Sequence, residues 1–231
     1  MMKRECKERV FVLKDRNPFI NNTELVFRIL LEDILEFRRL PGSAVSQGVV
    51  AAELEVSRSP VRSAFEKLEE QKYLKSFPNR GYYVYIMEPK DAMRGIEFRT
   101  GLEVLAGSLA INRADSNDLA LLKANLERTK SGRNLDHQKM LDDDAEFHRL
   151  LVACSKNDML IKTYTHYENK FAQLRNFVVS QDDHHNLYLR HARIYNALTA
   201  RKADELERAV RDHLKNLLDD GISLEKYTYE K

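Results

Sequence analysis

Apolar side chains recur at helical spacing in three consecutive blocks between residues 22 and 72. The first block predicts a helix that Thr23 can cap and that ends before Pro41-Gly42. The second predicts a shorter helix at about residues 46–55, and Ser57 then caps a third. The predicted inner faces consist of Leu25, Ile29, Ile34 and Phe37, then Val49, Val50, Ala51 and Leu54, then Val61, Ala64, Phe65 and Leu68.

After the third helix the period changes to that of strands. Residues 74–77, a turn at 78–81 and residues 82–86 together predict a small hairpin. Glu88-Pro89 ends the hairpin and marks a predicted domain boundary.

The remaining chain has helical periodicity, interrupted only by short polar breaks. The sequence therefore predicts a mainly α protein with an N-terminal arm at 1–21, three helices plus a β-hairpin at 22–88, and an antiparallel all-α bundle at 89–231. The bundle helices are predicted near residues 90–113, 117–130, 135–154, 158–180, 183–200 and 202–221.

Composition limits the classes of protein that fit. The charged fraction is 32% and the formal net charge is only +2, with the positive excess in the first 88 residues. The two cysteines, Cys6 and Cys154, are too few for a disulfide framework and fit free thiols in a reducing compartment. Because no secretory signal and no long apolar run is present, we expect a cytoplasmic protein without a membrane partner.

Three helices followed by a hairpin form the layout of a winged helix-turn-helix. In this layout the N-terminal half of the third helix faces the major groove of DNA. Arg58 and Arg62 are four residues apart and share one helix face, and arginine suits bidentate contact with guanine or phosphate. Most arginine pairs at this spacing are only solvated basic faces, so the pair by itself does not establish DNA binding. The candidate DNA-binding residues are Ser57, Arg58, Ser59 and Arg62 on the helix, with Arg80 and Gly81 at the hairpin tip.

Three sequence motifs in this region resemble the DNA-binding domain of the GntR superfamily. They are PGS at residues 41–43, VSRxPVRxAxxxL at 56–68 and NRGxxV at 79–84, within a match over about 22–86. The resemblance implies that Arg58, Arg62 and the Arg80-Gly81 tip contact double-stranded operator DNA. We further expect a homodimer on an inverted repeat, because two-fold proteins match palindromic sites.

One position departs from that family pattern. The second helix begins with Gln47-Gly48, where the family has an acidic residue followed by a long polar one. Glycine offers no side chain to a base and weakens the helix start, so the operator contact at this point differs.

Histidines in three different predicted helices suggest a second site. Asp144 lies four residues before His148, so the two share one helix face and could chelate a metal. With His191 and His213 they would form an Asp-His-His-His set that suits Zn²⁺, Ni²⁺, Mn²⁺ or Fe²⁺. The residues alone leave open that these are ordinary surface or core histidines.

Residues 90–221 resemble the FCD domain of FadR-type GntR regulators. The resemblance implies a bundle of six or seven helices around a cavity, with metal ligands at the positions of Asp144, His148, His191 and His213. It also implies a small carboxylate or sugar-acid effector. The matching pieces are Arg99-x3-Glu103, Asp144 to Leu151, Ser155-Lys156-Asn157, His191-x2-Ile194-x2-Ala197 and Ala203 to Leu214.

Arg99 occupies the family position that faces the cavity, where it could clamp the effector; a structural ion pair with Glu103 is the equal alternative. We expect Asn157 to cap a helix and His184-His185 to lie on the surface. Tyr164, Tyr167, Phe171 and Phe177 form a helical stripe that favours core packing, with one or two members lining the cavity.

These observations favour a transcription regulator, expected to be a repressor, whose operator affinity is controlled by a carboxylate at the metal site. One alternative is a metal sensor, in which the ion itself is the effector. The other is a metal-dependent enzyme, against which the sequence offers no recognisable general base.

Overall fold

A computed structural model describes residues 2–131, 137–178, 184–221 and 228–230. The described residues form two compact units. The first extends to Ile86 and includes the C-terminal segment, Thr228–Glu230; the second extends from Met87 to Gly221. The predicted fold class, a winged helix-turn-helix and a helical domain, is confirmed.

The first unit contains four helices and a small antiparallel sheet among the described residues. The sheet has the order β1-β3-β2, and Ala44 pairs with Tyr83 while Ser76 pairs with Tyr82. The short edge strand β1 is absent from the sequence prediction. The elements are α1 (Met2–Arg16), α2 (Asn22–Leu35), β1 (Ala44–Val45), α3 (Gln47–Leu54), α4 (Arg58–Glu70), β2 (Leu74–Phe77) and β3 (Gly81–Val84).

Most of the predicted inner faces of α2, α3 and α4 form the core of this unit, but two predicted members do not belong to it. Val49 is 51% exposed because its neighbour Val50 takes the inward position, and Phe37 follows the end of α2 with a positive φ of 56°. Leu25, Val61 and Phe65 are completely buried, and burial of such side chains stabilises a fold by about 1.5–3 kcal/mol each. Glu55 adopts a left-handed conformation (φ 55°, ψ 40°) that ends α3 and turns the chain toward α4. This turn presents the start of α4 to solvent.

The start of α2 differs from the prediction. Asn21, not Thr23, is the capping residue, and its Oδ1 accepts a hydrogen bond of 2.9 Å from the backbone N of Glu24. Asn21 lies in extended backbone, as a cap requires, whereas Thr23 is already inside the helix.

Helix α1 occupies the segment that the sequence analysis treats only as a charged arm. Arg9 donates to Asp33 Oδ1 at 2.6 Å, to Glu32 Oε2 at 3.0 Å and to the carbonyl of Ile29 at 3.0 Å. These contacts with α2 join residues more than 19 positions apart, so local periodicity could not predict them.

The second unit is a bundle whose six described helices closely follow the predicted segments. Its core includes the buried residues Phe147, Leu151, Ile194, Val210 and Leu214. Helix α5 contacts α7, α8, α9 and α10 and so lies at the centre of the packing. The helices are α5 (Pro89–Arg113), α6 (Ser116–Ser131), α7 (His137–Ala153), α8 (Asp158–Val178), α9 (His184–Thr199) and α10 (Ala203–Gly221).

Two smaller expectations concern thiols and membranes. Cys154 is a free, buried thiol whose pKa burial raises to about 12, which makes it a packing residue. The side chain of Cys6 lies outside the described residues.

Within the described ranges, no helix combines the length and the apolarity needed to cross a bilayer.

Candidate functional site

The four residues predicted as metal ligands converge in the second unit. Asp144 and His148 lie one turn apart on α7, His191 lies on α9 and His213 on α10. All four are buried, and one candidate ligand atom from each lies within 4.8 Å of all the others. Convergence of three helices thus makes a single site from residues up to 69 positions apart.

The polar atoms of this cluster face one another across short distances. Nε2 of His148 lies 3.0 Å from Nε2 of His213 and 3.4 Å from Oδ1 of Asp144. Nε2 of His191 lies 3.3 Å from the same Asp144 oxygen, and the His191 ring stacks on Phe147 with centroids 3.9 Å apart.

Several of these buried atoms lack a hydrogen-bonding partner among the described residues. They are both ring nitrogens of His191 and Nδ1 of His213. The contact between His191 and Asp144 does not have hydrogen-bond geometry. Because burying polar atoms without partners is unfavourable, and three imidazoles with a carboxylate match the preferences of Zn²⁺, Ni²⁺, Mn²⁺ or Fe²⁺, the donor set fits a divalent cation.

Glu103 of α5 orients one of the histidines. Its Oε2 lies 2.7 Å from Nδ1 of His148, and its Oε1 accepts from Arg99 Nε at 2.6 Å and from the Tyr164 hydroxyl at 3.1 Å. An imidazole that donates from Nδ1 to a carboxylate keeps the lone pair of Nε2 free, as a metal ligand must. From the sequence, Glu103 was expected only as the ion-pair partner of Arg99. The signal for a wider role is its position one turn from Arg99 on a helix facing α7.

Electrostatics keep the cluster in the protonation state that a metal requires. Burial lowers the pKa of His191 to about 4 and also lowers that of His213. Burial alone would raise the pKa of Asp144, but His148 and His191 outweigh it and hold that pKa well below its ordinary value. At neutral pH the imidazoles of His191 and His213 are therefore neutral, and the Asp144 carboxylate is ionised.

Two buried arginines flank the cluster. The predicted ion pair of Arg99 with Glu103 is present, yet Nη2 of Arg99 has no hydrogen-bond partner among the described residues. Arg175 of α8 places its Nε 3.3 Å from Oδ2 of Asp144, a contact without hydrogen-bond geometry, and burial lowers its pKa. Sequence analysis missed Arg175, although it follows Phe171 by one helical turn on the aromatic stripe.

The aromatic stripe of α8 divides between the core and the surface. Tyr164 and Phe171 are buried beside the cluster, and the guanidinium of Arg99 lies 5.7 Å from the Phe171 ring centre. Tyr167 is partly exposed and packs edge-to-face on Phe98. The Phe177 side chain lies outside the described residues.

The remaining polar predictions of the second unit are simple to place. Asn157 caps α8, because its Oδ1 accepts from the backbone N of Met159 at 3.1 Å and of Leu160 at 3.2 Å. His185 is exposed, and the His184 side chain lies outside the described residues.

All six predicted DNA-contacting residues of the first unit are exposed. Ser57 precedes α4 without a side-chain capping bond, and Arg58 begins the helix. Arg62 Nε donates to Glu66 Oε1 at 2.9 Å, with 74% of the arginine side chain accessible. Arg80 lies at the tip between β2 and β3, before Gly81, whose φ of +86° suits glycine. The Arg80 guanidinium donates to the backbone carbonyl of Glu230.

The unusual Gly48 lies in the first turn of α3. Ser46 caps this helix, with its Oγ accepting from Val49 N at 3.4 Å. A Cβ added at Gly48 would meet nothing closer than 3.8 Å, so the backbone has room for the longer side chain that this chain lacks.

Lowering the pH is expected to destabilise the metal-free protein between about pH 6.5 and pH 4. Folded His191 stays neutral down to about pH 4, whereas an unfolded imidazole takes up a proton near pH 6.5, so the unfolded state binds more protons in this window. The contribution of His191 to the free energy of unfolding is therefore fully present above pH 6.5 and is lost as the pH falls to about 4. This contribution amounts to about 3 kcal/mol.

Denaturant unfolding of chelator-treated protein at a series of pH values measures this loss. The His191→Gln variant should show a shallower dependence, while His185→Gln, an exposed change on the same helix, should follow the wild type. A free energy of unfolding that is constant from pH 6.5 to 4 would contradict the burial argument.

The Glu103→Gln substitution is expected to weaken metal binding about tenfold, because an amide orients the His148 ring less firmly than a carboxylate does. Competition with a chromophoric chelator measures the Kd. Glu97→Gln, an exposed change on the same helix, is the control and should leave the Kd unchanged. Equal affinity of the Glu103 variant and the wild type would remove Glu103 from the site.

Family models match both units of the chain. The model described as bacterial regulatory proteins, gntR family, matches residues 22–84. The model described as FCD domain matches residues 95–216, which is more than half of the chain.

Individual relatives are similar over most of their length. The Nta operon transcriptional regulator of Aminobacter aminovorans is 30% identical over 80% of this chain and 87% of its own. The HTH-type transcriptional repressor RspR of Escherichia coli K12 is 29% identical over 87% and 89%. A solved structure described as a transcriptional regulator GntR from Rhodococcus sp. RHA1 has the same fold, with a TM-score of 0.67 at 22% identity over 85% of this chain and 95% of that one.

These findings support a regulator rather than an enzyme, in agreement with the prediction. The gntR family model covers most of the first unit, and the FCD model covers most of the helical unit. The chain belongs to the GntR family of bacterial transcription regulators and carries an FCD domain.

Proposed function

We propose that this DNA-binding regulator is a homodimeric repressor controlled by a small carboxylate or sugar acid that binds beside a divalent metal. The observation that carries the proposal is the buried cluster of Asp144, His148, His191 and His213, flanked by Arg99 and Arg175. DNA binding is common to the family, whereas the homodimer, the repression, the effector and the metal are the proposed parts.

The donor set supports the metal. Three imidazoles and one carboxylate would hold Zn²⁺, Ni²⁺, Mn²⁺ or Fe²⁺, and Glu103 would orient His148 through its Nδ1. When bound, the ion supplies a positive centre that a carboxylate can coordinate.

The balance of charge supports an acidic effector. Within the cluster, Arg99 and Arg175 carry two positive charges, and Glu103 and Asp144 carry two negative ones, so these four side chains balance before a cation binds. A divalent ion makes the site positive, and a buried excess of charge is stabilised by a counter-ion. The unpartnered Nη2 of Arg99 offers that anion a hydrogen-bond donor.

The exposed arginines support the assignment of the DNA contacts. Arg58 and Arg62 on α4 and Arg80 at the hairpin tip are exposed residues of the region that the gntR family model matches, although the Arg80 guanidinium also donates to the Glu230 carbonyl. Each chain offers one such helix, so a two-fold dimer would bind an inverted repeat. The name of the E. coli relative, a repressor, favours repression over activation.

Control would operate as a shift between two conformational populations. The acid would favour one arrangement of the helical unit, and operator DNA would favour the other. A ligand moves such an equilibrium only by its differential affinity, typically about 1–3 kcal/mol of coupling. The coupling is reciprocal, so operator DNA must change the affinity for the acid by the same factor.

Calorimetry tests the binding half of the proposal. A panel of dicarboxylates, hydroxy acids and sugar acids is titrated into metal-loaded and into metal-stripped protein. We expect at least one acid to bind the loaded protein and to bind the stripped protein much more weakly. Equal binding to both forms would contradict coordination of the acid by the metal, and no binding to either would exclude this effector class.

The metal ion itself is a second candidate effector, because the four-residue cluster is complete without an organic ligand. Operator binding measured with and without a chelator, in the absence of any acid, separates the two. A change in operator affinity on metal removal alone would favour the metal sensor.

A further inference from the structure

The C-terminal segment, Thr228–Glu230, packs against the DNA-binding unit. The backbone N of Glu230 donates to the carbonyl of Gly42 at 3.0 Å, and its Oε2 accepts from the backbone N of Ala44 at 2.8 Å. One backbone bond to the turn at Gly42 and one side-chain bond to β1 thus hold the segment beside the sheet.

An aromatic anchor holds the segment in place. The ring of Tyr229 contacts Phe77 and Tyr83 edge-to-face, with centroids 4.9 and 6.0 Å apart. The Lys75 ammonium lies 5.6 Å from the centre of the same ring, and the Tyr229 hydroxyl accepts from the backbone N of Ile86 at 3.2 Å. Such ring pairs contribute about 0.5–1.5 kcal/mol each beyond the area that they bury.

The turn at Gly42 is shaped for this contact. Gly42 has φ +83°, and a Cβ at this position would overlap the carbonyl oxygen of Thr228. The backbone of the segment therefore approaches the turn as closely as a glycine allows.

The segment also engages Arg80, the tip arginine assigned above to DNA. The guanidinium donates to the carbonyl of Glu230 and lies 5.6 Å from the Phe77 ring centre and 5.3 Å from that of Tyr83. A guanidinium held in this way has to give up the Glu230 carbonyl before it can use the same donor on a phosphate.

We propose that the face formed by Phe77, Arg80 and Tyr83 is a peptide-docking surface whose occupant is the chain's own C-terminal segment, and that this segment competes with operator DNA for Arg80. The inference rests on the proposed DNA contact of Arg80. The Glu230 carboxylate helps to hold the segment in place, because its Oε2 accepts from the backbone N of Ala44.

The test compares operator binding of the full chain, of a chain ending at residue 227 and of the Tyr229→Ala variant, using fluorescence anisotropy. Tyr167→Ala, which also removes a partly exposed ring packed on a phenylalanine, is the matched control in the helical unit. Because both test variants release one charged hydrogen bond, we expect them to bind the operator about tenfold more tightly than the full chain does. The control variant should bind the operator with the affinity of the full chain.

Two further experiments test whether the gain in operator affinity depends on Arg80. In an Arg80→Ala background, the shortened chain should gain no affinity over the full-length one, as a double-mutant cycle requires for competing contacts. A synthetic peptide with the sequence of residues 222–231, added to the shortened chain, should return operator binding toward the full-length value.

The outcomes are distinguishable. Unchanged or weaker operator binding by both the shortened chain and Tyr229→Ala, with melting temperatures near that of the full chain, would overturn the competition while leaving the proposed function intact. A gain that persists in the Arg80→Ala background would also overturn it. Absence of specific DNA binding by every variant, including the full chain, would overturn the proposed function as well.

Discussion

Replacing His191 with alanine is expected to reduce the metal content of the purified protein from about one divalent ion per chain to nearly none. The substitution removes one of the four buried donors and replaces it with a methyl group, which cannot bind a metal. Elemental analysis by mass spectrometry on protein prepared without a histidine tag measures the content.

The control for this experiment lies on the same helix. His185 is exposed, and His185→Ala should retain the wild-type metal content. Because His191 also stacks on Phe147, a thermal melt must show that the variant is folded, and His191→Gln provides a version that leaves a smaller cavity. Full metal occupancy in either folded His191 variant would refute this set of ligands.

Replacing Arg62 with alanine is expected to weaken operator binding by about 1–3 kcal/mol and to relax the base preference at one position of each half-site. In the free protein this arginine pairs with Glu66 in an exposed i, i+4 bridge. Such bridges contribute only about 0.3–0.5 kcal/mol, so this pairing does not prevent contact with DNA.

Arg211→Ala is the matched control for this prediction, because Arg211 forms an equivalent exposed bridge with Glu207 on α10. Footprinting of the intergenic DNA that flanks the gene locates the operator, and anisotropy then gives the Kd. Equal losses in the two variants, or none in Arg62→Ala, would show that Arg62 does not read a base.

The sequence was informative wherever structure follows from local periodicity. The three core faces of the DNA-binding unit and the six helices of the bundle repeat apolar residues at helical spacing, and each of these helices is present. Asp144 and His148 share a face for the same reason. Their convergence with His191 and His213 depends on helix packing, which periodicity does not specify, and it was expected only from the resemblance to a known domain.

The features that the sequence did not indicate depend on contacts between distant residues. The α1 helix is tied to the unit by Arg9 and the buried Asp33, and no apolar period marks it. Arg175 looks like one more charged residue until α8 places it beside Asp144. The C-terminal segment lies 150 positions beyond Arg80, so nothing in the local sequence could connect them.

Operator affinity, measured by fluorescence anisotropy with and without the acid found by calorimetry, tests the central claim most directly. The account predicts that the acid changes the Kd for the operator by about 5–150-fold in metal-loaded protein, and that operator DNA changes the affinity for the acid by the same factor. It predicts no such change in metal-stripped protein or in a folded His191 variant. An operator Kd that stays the same in metal-loaded protein at saturating acid would contradict it.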